Sequence, residues 1–201
     1  MKNTWDFYAP VYDLLLSGSK RAYAEMSERI RVVIRDRRVL EIACGTGSLA
    51  KASADVSRSY IATDLSEQML AQAQRGRRPE QLIFSKADGA ALPFAAGSFD
   101  VVILSNALHF VAEPGRTLRE CSRVLSRRGV LIAPGFVRTE GARPSLLVQV
   151  MAHVGLELEP SWDEKDYRRL LAQNGWKVRR SDLLNATLPL MYTECIRKQH
   201  S

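Results

Sequence analysis

The 201-residue sequence predicts an α/β fold, a largely parallel sheet with helices on both faces, closed by an antiparallel hairpin. Three observations carry that expectation. Short apolar runs alternate with helix-forming segments from residue 38 to 134, and a crossover helix between strands makes them parallel. The runs are continuous in their apolar character, the pattern of strands covered on both faces. The last two strand-like runs, KVRRSDLL and TLPLMYTECIR, have no helix between them and so pair antiparallel.

Taken in order, the first 36 residues read as helical cover, WDFYAPVYDLLL and then KRAYAEMSERIRVVI. RVLEIA (38–43) is the first strand and opens into a tight glycine turn, after which a helix starts over 48–54. YIATD (60–64) is the second strand, and Ser66 caps a helix through EQMLAQAQR. LIFSKAD (82–88) and SFDVVILS (98–105) are the third and fourth strands. Pro114 suits the first turn of the next helix, with apolar positions at Leu118, Cys121, Val124 and Leu125. Gly129 ends that region and GVLIAP (129–134) is the fifth strand. Beyond Pro134, SLLVQVMAHV (145–154) reads as an apolar helix. SWDEKDYRRLLAQNGW (161–176) reads as an amphipathic one, with a Ser161–Glu164 capping box and a stop at Gly175.

Composition narrows the function classes. At 46% hydrophobic and 25% charged the chain is ordinary for a globular protein, and no run approaches the ~18 apolar residues of a membrane span. MKNTWDFYAPVYD places acidic and polar residues where a signal peptide is apolar, which predicts a cytoplasmic protein. Cys44, Cys121 and Cys195 are too far apart for a disulfide framework and lack metal-site spacing, so no metal is expected. The net charge of +7 is spread over short arginine groups and predicts a solvated surface; no nucleic-acid partner is expected.

Ligands of an open α/β sheet bind beyond the carboxyl ends of the strands. In VLEIACGTGSLA (39–50), Gly45, Gly47 and Ala50 spell the G-x-G-x-x-A of a dinucleotide loop. Glu41, four positions earlier, would repel a pyrophosphate and suits an ammonium group. Asp64 ends the second strand, where a carboxylate can take both hydroxyls of a ribose. Asp88, followed by Gly89, ends the third and suits an adenine amino group. A ligand with adenosine at one end and a cationic amino acid at the other fits these charges, and S-adenosylmethionine is that ligand. An NAD(P)-dependent oxidoreductase is the competing reading of the glycine loop, and a non-catalytic nucleic-acid- or membrane-binding module is a second competitor.

The segments VLEIACGTG, IATDLSEQML, ADGAALPFAAGSFDVVILSNALHFV and PGRTLRECSRVLSRRGVLIAP together resemble the class I S-adenosylmethionine-dependent methyltransferases, in particular the small-molecule enzymes of ubiquinone, menaquinone and phospholipid methylation. The resemblance implies a Rossmann-like seven-stranded sheet of order 3-2-1-4-5-7-6 with the last strand antiparallel. It also implies S-adenosyl-L-methionine as cofactor and S-adenosyl-L-homocysteine as product. Glu41, acting through a water or the loop backbone, and the Gly45–Gly47 backbone would take the amino acid end. Asp64 would hold the ribose, Leu65 and Met69 would cover the adenine, and Asp88 with Gly89 would read its edge. Ser105 and Asn106 would line the methyl and methionine region. Ala43 replaces the first glycine of the family's acidic-x-Gly-x-Gly-x-Gly pattern, and a strand-like conformation there would make the change tolerable. One domain over residues 1–201 is expected, with a cover or lid over 1–36, a cofactor-binding core over 37–135, and acceptor-side helices and hairpin over 136–201.

The acceptor side is expected from Trp5, Tyr8 and Tyr12 of the cover and from the segment after strand five, with Phe136 and Arg138. These favour a hydrophobic acceptor resembling a quinone, a lipid, a thiol or a specialised metabolite. A stripe of aromatics at helical spacing is more often packing than binding. His109 is the histidine near the predicted pocket and a candidate general base; the stronger reading of it is a support for the helix beside the pocket. SNALHF lacks the Pro-Pro-aromatic pattern of nucleobase methylation. Peripheral membrane contact and a monomer or homodimer complete the expectation.

Overall fold

The computed structural model describes residues 20–109, 111, 113–138, 162–184 and 189–198. The first helix, α1 (Lys20–Ile34), places Ala22, Met26, Ile30 and Ile34 at four-residue steps along one buried face. β1 (Arg38–Ile42) leads into α2 (Ser48–Ser53), which tightens into a 3₁₀ turn at Ala54–Val56. β2 (Ser59–Asp64) precedes α3 (Glu67–Ala73), and the Ser66 hydroxyl accepts from the Met69 N–H as expected of its cap. β3 (Leu82–Lys86) and β4 (Phe99–Ile103) follow. Pro114 opens α4 (Pro114–Val124), which buries Thr117, Leu118, Cys121 and Val124.

β5 (Leu125–Ile132) begins at once, four residues earlier than Gly129 suggested. Leu125 pairs with Phe99 and Val130 with Val101, so residues 126–129 bulge out between two paired stretches. Leu125 is therefore a strand residue, and Gly129 closes the bulge. β6 (Gly135–Phe136) continues β5 past Pro134: β8 (Leu190–Arg197) pairs antiparallel with both, Glu194 opposite Ile132 and Met191 opposite Gly135. α5 (Glu164–Gln173) has Asp163 as its N-cap, accepting from the Asp166 N–H, in place of the expected Ser161–Glu164 box. Ser161 lies outside the described residues. Gly175, at φ 83, ends that helix as its position predicts. β7 (Trp176–Leu184) pairs antiparallel with β8.

The order is β3-β2-β1-β4-β5-β8, with β7 on the far side of β8. Counting β5 and β6 as one interrupted strand, this is 3-2-1-4-5-7-6 with the last strand antiparallel, the Rossmann-like arrangement expected. Side-chain alternation splits the core between the two faces of the sheet. Val39, Tyr60, Val101 and Ile103 meet α1 and α2 on one face; Leu40, Val102, Leu104 and Leu131 meet α4 and α5 on the other. No helix among the described residues is long and apolar enough to cross a membrane.

Candidate active site

The parallel strands all point their carboxyl ends the same way, and the loops that leave them enclose a cavity of about 380 Å³. That falls within the ~300–1,000 Å³ usual for small-molecule sites. Among the described residues its wall takes Ala43 and Gly45 from the β1 loop, Asp64, Leu65 and Met69 from the β2 end, and Asp88 and Gly89 from the β3 end. Ser105 and Asn106 come from the β4 end. Four separate strand ends thus meet around one space, at the point where the order reverses between β1 and β4.

The glycine loop has a regular backbone. Ala43, Gly45 and Gly47 alternate at φ 55, 55 and 75, all in the left-handed region. Ala43 is therefore not strand-like, and the expectation made for it is corrected. It occupies a conformation suited to glycine, at a cost of about 1–2 kcal/mol from its methyl group. The Cys44 N–H donates to the Thr63 carbonyl at 2.9 Å, carrying the β1–β2 pairing into the turn. Gly47 caps α2 and does not line the cavity; a Cβ on it would lie 2.7 Å from the Phe84 ring, so its role is close packing.

Asp64 is held by the loop it supports. Its Oδ2 accepts from the Gly45 N–H at 2.8 Å and its Oδ1 from the Ser66 N–H at 2.9 Å. Two backbone donors fix the carboxylate at the cavity wall. Leu65 stands beside it, 53% exposed at the cavity lip, and Met69 is buried in the wall. Asp88 closes a turn by accepting from the Ala90 N–H at 2.8 Å. Gly89 is needed for closeness, since a Cβ there would lie 2.8 Å from Ile42 Cγ2 in the cavity wall.

Glu41 is not part of the wall. It is 1% exposed, on the opposite face of β1 from Ile42, and accepts from the Tyr60 hydroxyl at 2.9 Å. Burial, only partly countered by that hydrogen bond and reinforced by the nearby Asp64 charge, pushes its carboxyl up to about 8. Burial likewise raises the Cys44 thiol well above its ordinary value, which makes it inert.

His109 is also outside the lining. Its Nε2 donates to the Phe136 carbonyl at 2.8 Å, and its ring lies 4.6 Å from that of Trp162 and tilted by 33°. Burial lowers its pKa, so it is neutral at pH 7. Phe136 is buried in β6 opposite Leu190, and the Arg138 backbone pairs in parallel with that of Asp163, its N–H donating to the Trp162 carbonyl at 3.0 Å; neither residue lines the cavity. Trp5, Tyr8 and Tyr12 lie outside the described residues.

Glu113, Arg116 and Thr117 join the wall from the start of α4, and strand-end reasoning passed over them. Pro114 was the signal that could have found them, because it marks where that helix starts. Arg116 is the cation among the described lining residues, against Asp64, Asp88 and Glu113, with Glu113 Oε1 3.7 Å from it. An acid-rich wall with a clamped carboxylate and glycine-floored approaches fits an adenosyl amino acid and opposes a pyrophosphate.

Residues 40–133 match a family described as a methyltransferase domain. The chain is 36% identical over 136 residues to a demethylmenaquinone methyltransferase of Renibacterium salmoninarum, covering 66% of this chain and 56% of the relative. It is 31% identical over 131 residues to a malonyl-[acyl-carrier protein] O-methyltransferase of Legionella pneumophila, covering 62% and 45%. The chain thus spans about half the length of these curated relatives. Its fold matches a putative methyltransferase solved in complex with the Haloferax volcanii Trm112 methyltransferase activator, with a TM-score of 0.77, 19% identity, and 99% and 100% of the two chains covered. Sequence and strand order agree, and the chain carries a class I S-adenosylmethionine-dependent methyltransferase domain related to the menaquinone-type small-molecule enzymes.

Proposed function

We propose that the protein transfers a methyl group from S-adenosylmethionine to a small, hydrophobic acceptor and releases S-adenosylhomocysteine. The observation that carries this reading is Asp64, a carboxylate clamped by the Gly45 and Ser66 N–H groups at the wall of an acid-rich cavity. The sulfonium of the cofactor supplies an activated methyl group, so the protein's task is alignment and exclusion of water.

In this reading Asp64 accepts from the ribose hydroxyls, Leu65 and Met69 cover the adenine, and Asp88 with Gly89 reads its edge. The Gly45 loop receives the amino acid end. Ser105 and Asn106 border the methyl group. The acceptor enters from the side of the cover and of the segment after β5. Relatives named for demethylmenaquinone and for malonyl-[acyl-carrier protein] support an acceptor that is not a nucleic acid. A single domain working in the cytoplasm as a monomer or homodimer, touching membranes only peripherally, is consistent with this chemistry.

The test is calorimetric titration with S-adenosylhomocysteine and with NADH, followed by radiolabelled methyl transfer to quinols, lipids, thiols and amines. Binding of the dinucleotide alone would overturn the reading. His109→Ala should lower the melting temperature through lost stacking and leave S-adenosylhomocysteine affinity within about twofold. Abolished turnover with affinity retained would restore His109 as the base.

A further inference from the structure

The sheet ends in two outer strands, and they are built differently. β7 carries Lys177, Arg179, Arg180 and Asp182 and a register shift between Val178 and Arg180, features that discourage a further strand. β3 pairs with β2 in unbroken register over all five of its residues, and among the described residues no strand pairs with its other side. Its one charged residue, Lys86, stands last and is met by Glu67 at 2.7 Å. The link from β3 to β4 contains no helix, and one face of β3 stands bare, with Ile83 59% exposed beside the half-buried Ile61.

The backbone groups free on that edge follow from alternation. The Gln81 carbonyl accepts from the Tyr60 N–H at 3.0 Å, and the Ala87 N–H donates to the Asp64 carbonyl at 3.2 Å. Odd positions from 81 to 87 therefore turn to β2, and Leu82, Phe84 and Lys86 turn outward. The Leu82 N–H is taken by the Pro79 carbonyl at 3.1 Å. What remains for a neighbour is the Leu82 carbonyl and both groups of Phe84 and Lys86.

A twofold axis perpendicular to the sheet brings two β3 edges together antiparallel, in a contact that closes on itself. With Phe84 on the axis, the two Phe84 residues exchange N–H···O bonds, and each Lys86 N–H meets a Leu82 carbonyl across the axis. Ile83 then faces Ser85 across the axis, and the two Ile83 side chains are diagonal neighbours on the bare face. The charges agree with this arrangement. Exposed Arg75, Arg77 and Arg78, against Glu80, stand at the amino end of the edge, and exposed Glu67 and Asp88, against Lys86, at the carboxyl end. The axis sets the arginine-bearing end of one copy beside the acidic end of the other.

We propose that β3 is the contact surface for a second copy of this chain, joined edge to edge and antiparallel about Phe84, so that two sheets continue as one. The outer edges of the pair are then both β7, the strand that charge and a bulge protect. Five residues make a small interface, and the dimer is weak and reversible. The contact is independent of the methyltransferase reading.

The test is sedimentation velocity of the full chain from about 1 to 300 µM, where wild type should pass reversibly from monomer to dimer. Ile83→Lys puts a charge on the bare face, and Lys86→Pro removes an outward N–H that β2 does not use. Each should raise the dissociation constant at least about tenfold. Leu183→Lys, at a similarly exposed position of β7, should change it by less than about twofold. Mild oxidation of the Ile83→Cys/Ser85→Cys double variant should give a covalent dimer, because those positions face each other across the axis, and either cysteine alone should give little. The natural Cys44, Cys121 and Cys195 are buried and do not compete.

A wild type that stays monomeric throughout overturns the proposal, including the case in which a strand of another protein is the natural occupant. A dimer that Ile83→Lys does not weaken, or that Leu183→Lys weakens equally, overturns it as well. If Lys86→Pro does not fold, Ile83→Lys and the cysteine pair decide.

Discussion

The ends of β1 and β2 each carry a carboxyl group, and the two have opposite surroundings. Glu41 is sealed beneath the sheet with the Tyr60 hydroxyl as its donor, and burial keeps its proton on to about pH 8. Asp64, on the neighbouring strand, reaches the cavity and is clamped by two backbone N–H groups. Burial alone makes a carboxyl group costly, whereas fixed backbone donors make one a ready acceptor. The first residue should govern stability and the second ligand affinity.

The largest effect expected along that division is on stability. The Glu41 carboxyl titrates near 4.5 when unperturbed and at about 8 in the fold. Between those values the unfolded chain has lost the proton and the folded chain has kept it, so rising pH favours unfolding. The contribution is most favourable below about pH 4.5 and falls until about pH 8. Glu41→Gln does not titrate. It should match wild type near the lower limit and gain steadily, reaching a few kcal/mol at the upper one. Denaturant unfolding across that range checks it, and a constant difference would break the contrast.

Asp64→Ala should act the other way, weakening S-adenosylhomocysteine at least tenfold, about 1.4 kcal/mol, with a smaller change in stability. An affinity equal to wild type would remove Asp64 from the ribose. Gly89→Ala comes next: its methyl group must displace Ile42 in the cavity wall, which should cost about 1 kcal/mol of stability and weaken binding several-fold. Melting and calorimetry on the same sample separate the two losses. The smallest effect is a gain. Ala43→Gly removes a methyl group from a left-handed backbone and should stabilise by about 0.5–1 kcal/mol, after the entropy glycine loses on folding. A destabilised variant would mean that the Ala43 methyl packs well enough to offset its strain.

The strands were legible in sequence because parallel strands covered on both faces are continuous apolar runs, and the helices beside them are bounded by recognisable residues. Ser66 and Pro114 sit where their chemistry places them. The bulge in β5 was not legible. Residues 126–129 bear no mark of whether they are turn or strand, and only the pairing of Leu125 with Phe99 decides it. The cap of α5 was ambiguous for a similar reason, since Ser161 and Asp163 both have capping side chains and only the backbone path selects Asp163.

Sequence alone determined the sheet-forming segments, the family, and the four strand ends that meet at the cavity, because in an open parallel sheet the carboxyl end of every strand faces the same way. The depth of each side chain was decided by tertiary structure. Glu41 and Asp64 lie on the same face of neighbouring strands, but Glu41 stands within β1 opposite Ala62 whereas Asp64 is the last residue of β2, and that difference along the strand buries one and brings the other to the cavity. His109 became a stacking partner of Trp162, and Tyr23 a neighbour of Asn106, through contacts spanning 53 and 83 positions. Such contacts leave no local pattern, because no local energy depends on them until the sheet has closed.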